Sequence, residues 1–118
     1  AVTLAIINMP LLAQAADVSP VRITDGSTYT MTADSVINTG SNTTGIFVGY
    51  KDGGTIVGDN VTVTSDGYGI QIQTYATGGV AGSGDCSIKL GKTIVEAKSS
   101  AVRVDSSSYG QKATVILG

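Results

Sequence analysis

Histidine and tryptophan are absent from the 118 residues, cysteine occurs once and proline twice. Without histidine, neither a Ser-His-Asp nor a Cys-His catalytic arrangement can be assembled from these residues. A lone cysteine, Cys86, excludes an intrachain disulfide, the device on which many small secreted domains rely. It follows Asp85 and has no activating partner, so it reads as a buried structural residue. Charge is scarce as well: 7 basic against 9 acidic side chains give a net charge of -2. No basic cluster exists, and with it goes the electrostatic footprint of a nucleic-acid binder. Aromatics make up 5% of the chain, so any core must be aliphatic.

What is present points one way. There are 13 Val and 11 Ile against 5 Leu, together with 15 Thr. Branching at Cβ stiffens these side chains and suits them to a pleated surface. The 16 Gly and 12 Ser supply turn residues throughout, and every acid but Glu96 is an Asp, which favours turns over helices. The composition is that of an all-β protein.

Residues 1–16 carry no charge and open with an apolar stretch, Ala1-Val2-Thr3-Leu4-Ala5-Ile6-Ile7, that runs to Leu12. Ala13-Gln14-Ala15 then gives the small-x-small pattern read by a signal peptidase, followed by Ala16-Asp17. This is the apolar region and cleavage site of a secretory signal, and the apolar stretch is short of the ~20 residues of a spanning helix. The expectation is a signal over residues 1–15, with its start missing and cleavage set by Ala13, Ala15 and Ala16. Residues 16–27 are then a leader or cap region, and residues 28–118 are repeat units that continue past the last residue.

Within that long segment three elements recur in the same order. Thr55-Ile56-Val57-Gly58, Ser87-Ile88-Lys89-Leu90-Gly91 and Thr114-Val115-Ile116-Leu117-Gly118 are β-prone runs closed by Gly. Val61-Thr62-Val63-Thr64 is echoed by Thr93-Ile94-Val95-Glu96. Gly45-Ile46-Phe47-Val48 recurs as Gly69-Ile70-Gln71-Ile72 and as Ala101-Val102-Arg103-Val104. Apolar and polar residues alternate, so one face of each strand is inward. Turn signals such as Asp25-Gly26, Asp52-Gly53-Gly54 and Asp66-Gly67 separate them. Three short strands per unit of ~25 to 33 residues predict a three-sided solenoid of about three rungs. The stretch from Gln73 to Gly84 reads as an insertion bulging at a corner. The alternative is an antiparallel β-sandwich, whose strands also recur at short intervals.

The export signal, with Gly45-Ile46-Phe47-Val48, Asp59-Asn60-Val61-Thr62-Val63, Tyr68-Gly69-Ile70-Gln71-Ile72 and Ala101-Val102-Arg103-Val104 behind it, resembles the passenger region of pertactin-like bacterial autotransporters. The likeness covers residues 28–118 and is one of texture, since no invariant motif defines these passengers. It implies a right-handed parallel β-helix on the cell surface, carried to the outer membrane by a C-terminal β-barrel that is not among these residues. Near-absence of cysteine fits such a passenger. The large, uneven step size departs from a regular helix.

The implied function is that of a structural or adhesive surface segment binding a host or cell-surface protein or glycan, with its own neighbouring rungs as its other partners. The alternative is the non-catalytic portion of a secreted β-helical carbohydrate-active enzyme. Glycoside hydrolysis needs two carboxylates facing across the bond, whereas Asp25, Asp52, Asp66 and Asp59 all sit in turn contexts. Asp34, Asp105 and Arg103 form no defensible pair, so no catalytic residue is assigned. One imperfect Gly-x-Gly-x-Asp copy ending at Asp85 cannot supply the six or more oxygens of a Ca²⁺ site, and no metal or cofactor is expected. Asn42-x-Thr44 and Asn60-x-Thr62 match the glycosylation sequon, a frequent chance match in a Thr-rich chain. Tyr50, Tyr75 and Tyr109, near corners, are the candidate surface contacts, because a loop-tip Tyr is large, stiff and amphipathic.

Overall fold

The computed structural model describes residues 15–76, 80–81, 84–106 and 111–118. The strands fall into four successive coils. The first holds β1 (Ala16–Asp17), β2 (Val21–Ile23) and β3 (Thr28–Met31), and the second β4 (Ser35–Asn38), β5 (Ile46–Gly49) and β6 (Gly54–Gly58). The third holds β7 (Val61–Ser65), β8 (Ile70–Gln73), a small hairpin of β9 (Tyr75–Ala76) and β10 (Val80–Ala81), and β11 (Cys86–Leu90). The fourth holds β12 (Thr93–Ala97), β13 (Val102–Asp105) and β14 (Ala113–Leu117). No helix occurs among the described residues.

Corresponding strands stack into three sheets: β1-β4-β7-β12, β2-β5-β8-β13 and β3-β6-β11-β14. Every pair between coils is parallel. Among the described residues, β9 and β10 alone pair antiparallel. The chain is therefore a three-sided parallel solenoid and not an antiparallel sandwich. The hairpin falls inside the Gln73–Gly84 stretch expected to bulge from a corner.

Side-chain alternation builds the core. In the second sheet, Val21, Ile46, Ile70 and Val102 share one register, and Ile23, Val48, Ile72 and Val104 the next inward one. Ile37, Ile46, Ile56, Ile70, Ile72 and Ile88 are wholly buried, and each such side chain stabilises the fold by roughly 1.5–3 kcal/mol. Cys86 lies in this core between Gly54 and Ala113. Burial pushes its thiol pKa up, and the neighbouring Asp85 charge adds to that. The corner between second and third sheets is backbone against backbone. Gly53 and Gly54 take φ of 66° and 143°, and a Cβ on Gly53 would stand 2.4 Å from Asp85 O.

Three details differ from the sequence reading. Four coils are present among the described residues, where about three were expected. Residues 16–27, set apart there as a leader or cap, supply β1 and β2 of the first coil. Gly58 pairs with Leu90, one residue before Gly91. The corner after β6 is Asp59-Asn60, so Gly58 is the last strand residue and no corner marker. Met31 Cε occupies the space over it, 3.0 Å from where a Cβ would be.

Candidate functional site: the outer face of the second sheet

Outward positions of the second sheet align as Arg22, Phe47, Gln71 and Arg103, one from each coil. Phe47 faces outward yet is only 5% exposed, because other side chains cover it. The Arg22 guanidinium lies 4.3 Å from its ring centroid. Tyr50 meets its edge, with centroids 5.9 Å apart and planes at 70°. Arg22 Nη2 donates a hydrogen bond to Tyr50 Oη. Gly49 lies beneath the Phe47 ring, where a Cβ would be 2.3 Å from two ring carbons. A side chain there would displace the ring, so glycine is required at this position.

A polar chain continues across the next coils. Thr44 Oγ1 donates to Gln71 Oε1 at 3.3 Å, and Gln71 Nε2 donates to Asp105 Oδ2 at 3.1 Å. Arg103 Nε bonds both Asp105 oxygens at 2.9 and 3.0 Å, and its Nη1 donates to Tyr68 Oη at 2.6 Å. The Arg103 carbon Cζ stands 4.9 Å from the Tyr68 ring centroid. Each arginine is thus tied to a tyrosine near a corner. They differ in charge balance: Arg103 has its carboxylate, while Arg22 is in neither of the two ion pairs formed among the described residues.

Beside Arg22 is a recess of about 460 Å³ lined by Pro20, Val21, Asn42, Thr43, Thr44 and Phe47 as well as the arginine. Asn42, in its far wall, and the preceding Ser41 have φ of 58° and 56°, a left-handed conformation that non-glycine residues adopt at a cost. The wall is clamped from behind. Thr39 Oγ1 and Ser65 Oγ donate to Thr43 O at 2.7 and 2.8 Å, and Gly67 N donates to Ser65 Oγ at 3.0 Å. Buried Ser65 therefore fixes the Asn42–Thr44 segment to the following coil.

Of the candidate contacts, Tyr50 is half-buried in the Arg22–Phe47 cluster, and Tyr75 is half-buried in β9, its carbonyl accepting from Gln73 Nε2 at 2.7 Å. Tyr109 and Ala13 lie outside the described residues, while Ala15 is exposed and Ala16 begins β1. Asp85 Oδ1 accepts the Lys112 backbone N–H at 2.9 Å, a corner role. Among the described residues no group of three or more His, Cys, Asp or Glu could hold a metal ion. Sequence reasoning missed Arg22 and Phe47. Their signal was the Val-Arg-Ile alternation at 21–23, which pairs with Ile46-Phe47-Val48 only once the first coil is recognised. Comparison with protein-family models, curated proteins and solved structures gives no match to this chain.

Proposed function

We infer that this chain is a segment of a surface-displayed adhesive protein of the autotransporter-passenger kind, exported through an N-terminal signal and binding through the outer faces of its solenoid. The observation that carries the reading is the Arg22–Phe47–Tyr50 and Arg103–Tyr68 strip on the second sheet. Tyr and Arg are the residues most enriched where binding energy concentrates, and a stacked parallel core holds them in place at little further entropy cost. Asp105, the carboxylate nearest this strip, is already held by Arg103 and Gln71, which favours a scaffold role for it over acid catalysis.

Beads coated with the 118-residue chain should adhere to glycan-bearing cell surfaces above the level of uncoated beads. Antiserum against the chain should label intact source cells, with the label lost after protease shaving. Beads that do not adhere would remove the adhesive role. Labelling that needs permeabilised cells would remove surface display.

A further inference from the structure

We propose that the recess beside Arg22 binds a carboxylate-bearing saccharide, a uronate or sialate residue of a surface glycan; this rests on the adhesive reading above and gives it a ligand class. Arg22 is exposed and is outside both ion pairs of the described residues. Its guanidinium is nonetheless fixed, stacked on Phe47 and bonded to Tyr50 Oη. One of five N–H donors is used by Tyr50. The rest of the fork suits a carboxylate, which it can grip through two parallel bonds. A stacked cation outside both ion pairs of the described residues, at the edge of a recess, suits an anionic ligand.

The remaining walls select what carries the anion. Asn42, Thr43 and Thr44 offer amide and hydroxyl groups, which match the hydroxyls of a sugar ring. Thr44 donates to Gln71 and so keeps its oxygen lone pairs for a ligand hydroxyl. The recess holds one cation, which fits a single negative charge; a phosphate-rich polymer would call for several. It lies over the paired seam of β2 and β5, whereas an extended peptide is held through the free backbone of a strand edge. Its size, about 460 Å³, falls within the ~300–1,000 Å³ of small-molecule sites. The clamp from Thr39 and Ser65 onto Thr43 O keeps the wall in its binding shape before the ligand arrives.

The test is titration calorimetry of the 118-residue chain with trigalacturonate, sialyllactose, lactose and an acidic peptide. At least one of the two acidic saccharides should bind, and lactose and the peptide should not. Arg22→Gln should weaken that binding about 10- to 100-fold, the usual range for losing a hydrogen bond to a charged group. Arg22→Lys keeps the charge without the fork and should fall between. Lys89→Gln, which removes a positive charge from the third sheet's outer face, should bind as the parent does. No binding of either acidic saccharide, equal binding of the peptide, or an unaltered Arg22→Gln would each overturn the proposal. Free trigalacturonate and sialyllactose separate the two readings. Beads that adhere and are released by neither count against this site alone, whereas saccharide binding without bead adhesion counts against the adhesive role alone.

Discussion

The first and fourth coils each pair with a neighbour on one side only among the described residues, yet their core-facing side chains are covered very differently. In the first, Val21 and Met31 are 6% and 5% exposed, with Tyr29 at 37% the exception; in the fourth, Val102, Val104 and Leu117 are 41%, 47% and 40% exposed. In the first coil, Val18 and Ile23 pack against the core, and Met31 folds over Gly58. In the fourth, Val95, Ala113 and Val115 also pack against the core, but the inward columns of Ile70 and Ile72 end, among the described residues, in valines that stay largely exposed. Inward alternation says which way a residue points, and place in the stack decides how far it is buried.

The sharpest way to break this comparison is within one column. Ile70→Ala should cost about 2–5 kcal/mol, the usual range for emptying a wholly buried aliphatic position. Val102→Ala, one coil on, should cost below ~1 kcal/mol, since 41% of its surface already meets water. Urea unfolding of both variants decides it. Equal losses would mean that the fourth coil is covered in solution.

The corner before the second sheet carries the same contrast. Gly45, Gly69 and Ala101 precede its strands in successive coils. A Cβ on Gly69 would lie 2.2 Å from Val95 Cγ1 and 2.7 Å from Ala101 O, because the next coil occupies that space. Gly69→Ala should therefore destabilise by about 1–3 kcal/mol through overpacking. Ala101→Gly should cost no more than ~1 kcal/mol, through chain entropy alone. Thermal melts of the pair give the ratio.

Among the described residues β13 has one edge unpaired and carries exposed valines, and such an edge invites pairing with another chain. At high concentration the parent should self-associate in sedimentation velocity. Val104→Lys places an inward-pointing charge on that edge and should shift the boundary toward monomer, at a stability cost below ~1 kcal/mol. Undiminished association would place the contact elsewhere.

The parts legible in the sequence were those where successive coils carry like residues. Ile46, Ile70 and Val102, and likewise Val61 and Thr93, stand in the registers that the repeated runs imply. Of the first coil only β3 fell inside the expected repeat of residues 28–118; the coil as a unit was not legible, because β1 has two residues and β3 presents Tyr29 at the register of Ile56. Gly58 misled because glycine marks the corner in one coil and ends the strand in another. The candidate site suffered most. Tyr50 stood out as a corner aromatic, but its meaning depends on Arg22, 28 residues earlier, and only the stacking of coils makes them neighbours.

The smallest expected effect concerns how the fourth coil is pinned. Lys98, after β12, forms an ion pair with Asp66, after β7. The lysine holds the Asp66 carboxyl below its ordinary 3.8, first through their hydrogen bond and then through its charge. The same partner raises Lys98 above its ordinary 10.5. Asp66, depressed on folding, contributes stability that is present above pH 3.8 and is lost as pH falls through the lower folded value. Lys98, raised on folding, contributes stability that is present below pH 10.5 and is lost as pH climbs through the higher folded value. Both groups are at the surface, so the effect is small and salt weakens it. Asp66→Asn should lower the melting temperature slightly at pH 7. The gap to the parent should close as pH drops below 3.8 and shrink at high ionic strength. A gap that persists in acid would mean that Asp66 serves as a backbone acceptor for Asn42 more than as a partner of Lys98, and the fourth coil would then be held by its strands alone.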